Sequence, residues 1–452
     1  MPVSNLYMEK ISNIMKTNSR IKKSEALFQE ARKYIPGGAQ LSRRPELFIP
    51  GAYPLYIKKT RGCRFTDVDG NEYIDYLAAY GPIILGFCYP CVNDAVRGLL
   101  DTSTVVTMNH PIHIELAREL TRIVPCAEMV YMRKDGSGAT STAVKIARVC
   151  TGKEKVIRYG YSGWHDWACG CKWWQDYASG APKVMEDYIF DMPYNDLEAL
   201  EKMLKEHCDE VACLIMEPVK LEIPKQGYLK GVKDLCRKYG VLLIFDEIKT
   251  GFRLALGGAQ EYFGVTPDMA TLSKAMANGF PIAAVVGRKE VMSVAANTSL
   301  SATFDGEVTA MAAALATIRE IEKKKVNEHL WAMGRKLMTG LDNLAKEAGV
   351  EARCVGLPPM PYMDFVGRDK IDNQIAKDVF YRAAVSRGIF FAPNHLWYIM
   401  FSHKEKDIDE TLEVSEKAFK MVKEQLASPE ARRAASEKVK MAVSRFPSQG
   451  RK

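Results

Sequence analysis

The sequence predicts an α/β protein with a mostly parallel central sheet flanked by helices, and three observations predict it. From about residue 128 to 290, short β-rich runs alternate with amphipathic helical segments. Several runs are apolar throughout rather than alternating, as strands covered on both faces require. On either side of that region the periodicity changes, which marks a smaller α+β lobe drawn from both ends of the chain.

The elements follow in order. Ser24 precedes Glu25-Ala26-Leu27-Phe28 as a helix N-cap, and the helix stops at Pro36-Gly37-Gly38. Its capping box is incomplete, because Leu27 stands where Glu or Gln would reach back. Residues 55–76 alternate and turn at Asp69-Gly70, a hairpin signal. Strands are then expected at Met129–Met132, Val156–Tyr159, Val211–Met216, Val241–Phe245, Met269–Leu272 and Ile282–Val286. Leu197, Leu200, Met203 and Leu204 mark one helical face between them, and Leu229, Val232, Leu235 and Tyr239 another. From about 310 to 347 the pattern is helical. Strand-like runs follow at Ile389–Phe391 and Trp397–Phe401, then a last helix near 407–426.

A chain of 452 residues, 47% of them hydrophobic, can bury a large core. The formal charge of +8 suggests a polyanion partner until it is located. Residues 1–23 carry five basic and one acidic residue and residues 429–452 carry seven and two, so the body between them is near −1. The basicity is terminal, and we read solvated tails rather than a nucleic-acid surface. Of the 11 cysteines only Cys88 and Cys91 form a C-x-x-C, with Cys169 and Cys171 closer still. Without a second such pair no structural zinc site is expected, and free thiols point to a reducing, cytoplasmic setting. There is neither a signal-peptide-like start nor a run of 18 apolar residues, so no membrane association is expected.

Two residues carry the chemistry. Asp246 closes the apolar run Val241-Leu242-Leu243-Ile244-Phe245, and Lys274 follows 28 residues later in Leu272-Ser273-Lys274-Ala275-Met276. Open α/β sheets bind ligands beyond the carboxyl ends of their strands. A lysine in that small, apolar setting is disposed to be neutral and nucleophilic, and a nearby carboxylate can hold a pyridinium nitrogen, the pair that pyridoxal phosphate chemistry needs. A strand-end aspartate is equally suited to a structural turn. Asp246-Glu247 also fits the magnesium-binding strand of a P-loop ATPase, but the sole Gly-Lys pair, Gly152-Lys153, has Ala147 and Glu154 where that loop needs Gly and Ser or Thr. Asp135-Gly136-Ser137-Gly138-Ala139-Thr140 follows a strand and opens a helix, so it serves either as a capped turn or as a phosphate cradle. Ser141 stands where a dinucleotide fingerprint needs Gly or Ala. Tyr161-Ser162-Gly163-Trp164-His165 offers aromatic faces at a sheet edge, and Arg43-Arg44 a partner for a carboxylate.

Taken together these residues resemble the class III aminotransferases, fold type I pyridoxal-phosphate enzymes, and most closely their glutamate-1-semialdehyde 2,1-aminomutase branch. The resemblance runs from about Ser24 to Phe419. It is most specific in Leu243-Ile244-Phe245-Asp246-Glu247-Ile248-Lys249-Thr250-Gly251-Phe252-Arg253 and continues through Gly257 to Asp268, Lys274 and Gly279-Phe280-Pro281. Ile35-Pro36-Gly37-Gly38, Asp67 to Asp75, and Glu217-Pro218-Val219 also look like that family. The resemblance implies a Schiff base and proton shuttle at Lys274, and Asp246 on the pyridine nitrogen. It puts Ile248 behind the ring and Tyr161 over it, with Glu217 at the cofactor. Gly136, Ser137 and Gly138 would hold the phosphate, and Thr303 would reach the phosphate of a neighbouring subunit in a homodimer with active sites at its interface. Arg44 falls where the aminomutase branch binds its substrate carboxylate. It further implies a small-domain portion over 1–76, a large cofactor domain over 77–325, a C-terminal small domain over 326–426 and a basic tail over 427–452.

The departures fall on the substrate side. Gly138, or Ala139 if the turn shifts by one, stands where the family has Glu, Ser162 replaces the His of Tyr-His-Gly, and Asp305-Gly306-Glu307-Val308 replaces Ser-Gly-Asn-Pro. After Glu217-Pro218-Val219 the loop looks shortened, leaving Lys220 or Glu222 in place of the polar residue that meets the ring hydroxyl. These changes point to an aminotransferase acting on a small amino donor and a carbonyl acceptor. The alternatives are an intramolecular 2,1-aminomutase, a racemase or epimerase, and a non-catalytic binding protein on the same fold.

Overall fold

The computed structural model describes residues 19–40, 43–49, 51–168, 180–433 and 435–436. The first 18 residues, the Cys169/Cys171 pair and most of the basic C-terminal tail lie outside the described residues. Within them the strands are β1 (Ile57–Arg61), β2 (Arg64–Asp67), β3 (Glu72–Asp75), β4 (Met129–Arg133), β5 (Lys155–Tyr159), β6 (Ile189–Asp191), β7 (Val211–Met216), β8 (Leu242–Asp246), β9 (Met269–Leu272), β10 (Ala283–Gly287), β11 (Ala352–Leu357), β12 (Met360–Phe365) and β13 (Ile389–Phe390).

Residues 81–329 form one of two compact units. Its seven-stranded sheet has the order β4-β10-β9-β8-β7-β5-β6. Every pairing from β9 to β6 is parallel, whereas β10 is antiparallel to both β9 and β4. Six of six residues are buried in β7 and five of five in β10, which is why these runs read as continuously apolar. The helix Gly136–Thr151 lays Ala139, Ala143, Val144 and Ala147 into a core with Cys213, Ile215, Ile244, Met269 and Val285. Each of the larger aliphatic side chains buried there contributes roughly 1.5–3 kcal/mol. The helical segment expected from 310 to 347 is two helices, Thr309–Lys323 and Val326–Ala348, broken where Lys325 turns left-handed (φ 51°).

Residues up to 80 and from 330 onward form the other unit. Its sheet has the order β1-β2-β3-β13, with β13 parallel to β3, beside the β11–β12 hairpin and the helices Lys370–Val385 and Glu405–Leu426. Two local expectations are corrected here. Ser24 is no N-cap: the helix begins at Lys22, and the Ser24 hydroxyl accepts from the Leu55 and Tyr56 amides at 2.7 and 2.9 Å. Trp397–Phe401 is no strand but a buried irregular segment, with the Trp397 ring stacked on Phe391 at 3.9 Å. Asp75 accepts the amides of Leu77 (2.7 Å) and Ala78 (3.3 Å), and there Ala78, Ala79 and Tyr80 take successive left-handed φ values of 48°, 53° and 71°.

Gly334, inside the helix Val326–Ala348, lies so close to Pro358 that a Cβ would sit 1.9 Å from its carbonyl oxygen. Gly334→Ala is therefore expected to lower the unfolding free energy by about 2 kcal/mol, because overpacking against fixed backbone outweighs the gain of about 1 kcal/mol in helix propensity. Thermal denaturation checks it, and a raised midpoint would overturn it.

Candidate functional site

The site stands on one edge of the seven-stranded sheet, and strand direction puts it there. β8 and β9 are parallel, so Asp246 at the end of β8 and Lys274, two residues beyond β9, leave the sheet at the same edge. β10 is antiparallel to both of its neighbours, so β4 runs with β8 and β9. The helix that follows it, opening at Gly136, therefore starts at that edge too.

Asp246 is 2% exposed. Its Oδ1 accepts the Ile248 amide at 3.2 Å and the Thr271 hydroxyl at 3.4 Å, while Oδ2 is buried with no hydrogen-bond partner. Burial, then the charge of Glu217, raises its pKa to about 7. Lys274 begins a short 3₁₀ turn with left-handed φ (46°), between the buried Ser273 and Ala275. Loss of water around its ammonium, then the charge of Lys249, lowers its pKa to about 8. Glu217 and Lys274 both act on Asp246 electrostatically, so the three form one coupled group.

Glu217, one residue past β7, forms an ion pair with Lys249 (Oε2 to Nζ 2.5 Å), and its Oε1 accepts the Tyr161 amide at 2.8 Å. Burial works to raise the Glu217 carboxyl, but the charges of Lys249 and Lys220 overcome it and hold it below the usual range. Glu247 is fully buried, its carboxylate accepting from the Thr250 hydroxyl, the Ala259 and Gln260 amides and the Gln260 side chain, which braces the turn carrying Asp246 and Ile248.

At the helix start, a Cβ on Gly136 would meet Ile248 Cδ1 at 2.8 Å, and one on Gly163 would meet Ser137 Oγ at 2.6 Å. Gly136, Ser137, Ile248 and the loop carrying Tyr161 are thus packed together. Tyr161 itself is 43% exposed. The Gly138 amide is already taken by the Asp135 carboxylate at 2.8 Å, so the first-turn amides of Gly136 and Ser137 are the ones left to meet an anion. Thr303 is exposed in a 3₁₀ turn whose neighbours are fixed by the Arg133–Asp305 and Lys134–Glu307 ion pairs. Arg44 belongs to the other unit, where its guanidinium lies against Gly37. Sequence reasoning passed over Lys249. It stands beside Ile248 in the most family-like stretch, but its partner is 32 residues away, and only the β7–β8 pairing brings the two together.

The chain is 38% identical over 415 residues to the 3-aminobutyryl-CoA aminotransferase of Cloacimonas acidaminovorans, covering 90% of this chain and 99% of that one. It is 36% identical over 428 residues to the glutamate-1-semialdehyde 2,1-aminomutase of Syntrophobacter fumaroxidans, covering 89% and 98%. The fold matches the Sphingopyxis sp. MTA144 FumI protein, solved in its PLP internal aldimine form, with a TM-score of 0.85 and 26% identity over 92% of this chain and all of that one. Residues 50–419 match the model of the aminotransferase class-III family. With a match over that span and relatives this similar along nearly their whole length, the chain belongs to the class III aminotransferases.

Proposed function

We propose that the protein is a pyridoxal-phosphate-dependent aminotransferase that moves an amino group from a small amino donor to a carbonyl acceptor, with Lys274 and Asp246 as its catalytic residues. The observation that carries this reading is the buried, unpartnered Oδ2 of Asp246 on the sheet edge it shares with the Lys274 amine. An orphaned buried carboxylate oxygen is costly, and a ring N–H is the donor that satisfies it. Pyridoxal phosphate fits the rest of the site: Gly136 and Ser137 would hold its phosphate at the helix start, Ile248 and Tyr161 would flank its ring, and Glu217 and Gly138 would lie beside it. When bound, it supplies an electron-withdrawing ring through which an amino group can be exchanged at a substrate carbon.

The chain's own residues do the remaining work. Asp246 holds a proton on the ring nitrogen. The Lys274 Nζ would hold the cofactor through its aldehyde carbon, and the same amine would move a proton between the substrate carbon and the cofactor carbon as general base and then general acid. Arg44 receives a substrate carboxylate. Thr303 reaches a second copy's phosphate in a homodimer; exposed Met108 and Phe304 on neighbouring segments, linked by the Val106 amide to the Gly306 carbonyl at 3.0 Å, support such a surface. The buried, free thiols of Cys63, Cys126, Cys213 and Cys236 support a cytoplasmic setting. No described helix is long and apolar enough to cross a membrane.

Only the neutral amine is nucleophilic, so the rate of cofactor uptake by the apo-protein should rise with pH and level off above about 8, the Lys274 value, and not near 10.5, the value for a solvated lysine. Stopped-flow absorbance between pH 6.5 and 10 reads the midpoint, and one above 10 would overturn the assignment.

The test of the function is an amino-donor screen followed by the cofactor's visible band, in which a true donor converts it stoichiometrically in the absence of acceptor. A second reading, an intramolecular aminomutase, is favoured by the 36% identity to the Syntrophobacter enzyme. It expects isomerisation of one substrate with no acceptor supplied.

A further inference from the structure

Lys249 lies in the turn after β8, three residues past Asp246 and one past Ile248, yet its side chain is only 10% exposed and its ammonium is spent on Glu217 at 2.5 Å. A lysine in a tight turn beside the sheet would be expected to reach water, since its long stem lets the charge escape. Here it does not. Glu217 is 8% exposed on its side chain, and its second oxygen accepts the Tyr161 amide at 2.8 Å. Gly160, immediately before, has a φ of 100°, and a Cβ there would lie 2.6 Å from Glu217 Oε1. The loop therefore runs hard against the carboxylate, and a glycine is required for it to do so. Tyr194, stacked on Tyr159 at 4.4 Å, donates to the Pro218 carbonyl at 2.5 Å and so fixes the backbone just after Glu217. The carboxylate is thus held between the Tyr161 amide on one oxygen and the Lys249 ammonium on the other.

We propose that Lys249 is a positioning residue: by orienting the Glu217 carboxylate it clamps the Tyr161 amide, and so fixes the aromatic ring against the cofactor and the loop against Ser137. The inference rests on the reading of this edge as the pyridoxal-phosphate site. A purely structural ion pair here would stabilise the fold and leave the cofactor's surroundings alone. The clamp predicts more. Removing the ammonium leaves a buried charge next to Asp246 that must find water or a proton, and the Tyr161 loop moves with it. Charge also links the same residues, since Lys249 and Glu217 both act on Asp246 and Lys274.

The experiment compares wild type, Lys249→Met and the double variant Lys249→Met/Glu217→Gln, using pyridoxal phosphate itself as the probe. Three quantities are read: the cofactor dissociation constant by fluorescence, the visible circular dichroism of the bound cofactor, and the thermal midpoint without cofactor. Lys249→Met is expected to bind the cofactor about ten- to a hundredfold more weakly, as loss of a supporting residue behind a binding site does. Its visible dichroism per bound cofactor should fall by about half or more as the aromatic face loosens. The double variant, in which a neutral amide can still accept from Tyr161, should recover most of both. If Lys249→Met lowers only the thermal midpoint, or leaves affinity and dichroism at wild-type values, the clamp is overturned. If the double variant stays as poor as the single one, Lys249 does not act through Glu217 and the clamp is likewise overturned. Should Lys249→Met not fold, the double variant decides: affinity and dichroism near wild type support the clamp, and binding about ten- to a hundredfold weaker overturns it. A wild-type protein that binds no cofactor would instead defeat the reading of the site, a result distinct from all of these.

Discussion

Lys274→Ala is expected to bind pyridoxal phosphate yet lose amino transfer by about a thousandfold or more, the share that a positioned acid–base group supplies even before its covalent role is counted. The loss is local. Alanine keeps the backbone of the 3₁₀ turn, and its left-handed φ strains both residues alike. The proposed phosphate cradle at Gly136 and Ser137 and the carboxylate of Asp246 are untouched, so the cofactor is expected to keep its noncovalent contacts. Two measurements check this: the steady-state rate with any donor found by the screen, and the mass of the protein after borohydride reduction. Wild type should gain one reduced cofactor on the peptide containing residue 274, and the variant none. A variant that turned over within tenfold of wild type would remove Lys274 from the chemistry.

Asp246→Asn should cost about a hundred- to a thousandfold in turnover with the cofactor still bound, the range expected when one preorganised electrostatic partner is removed. The substitution is nearly isosteric, and Oδ1 can still accept from Ile248. What changes is Oδ2. In place of an anionic acceptor the site gains an amide donor, which pairs with an unprotonated ring nitrogen and so withdraws the proton on which the ring's electron demand depends. The absorbance of the bound cofactor should shift together with the rate. Equal rates in the two proteins would show that the carboxylate is merely a brace for the turn.

Much of the fold, and the place of the candidate site within it, is legible in the sequence. The β8 run and its terminal aspartate stand out because a strand covered on both faces must be apolar until it emerges, and the first polar residue marks where it does. The remainder depended on contacts between distant residues. Ser24 reads as a cap on local grounds, but its hydroxyl serves two amides about thirty residues on. Trp397–Phe401 has strand composition, yet its neighbours come from elsewhere in the unit and leave it unladdered. The reversed direction of β10 follows from how the chain returns, and nothing in Ala283–Gly287 itself encodes it. β6 is three residues long and carries no usable pattern. For the same reason the pairing of Lys249 with Glu217 is not legible: the motif around Glu217 marks that residue, but nothing near Lys249 in the chain points to it.

The run of left-handed residues from Ala78 to Tyr80 bears on engineering. Non-glycine residues held in that region each cost about 1 kcal/mol or more, and the buried carboxylate of Asp75 keeps this segment in place. A glycine at 78 or 79 would relieve that penalty at once, an inexpensive route to heat tolerance that the natural chain leaves unused. A thermostability library across these three codons would test this: hardier glycine variants that keep full turnover would mean that the contour alone is needed, and hardier variants that are inactive would mean that the side chains at 78–80 do work of their own.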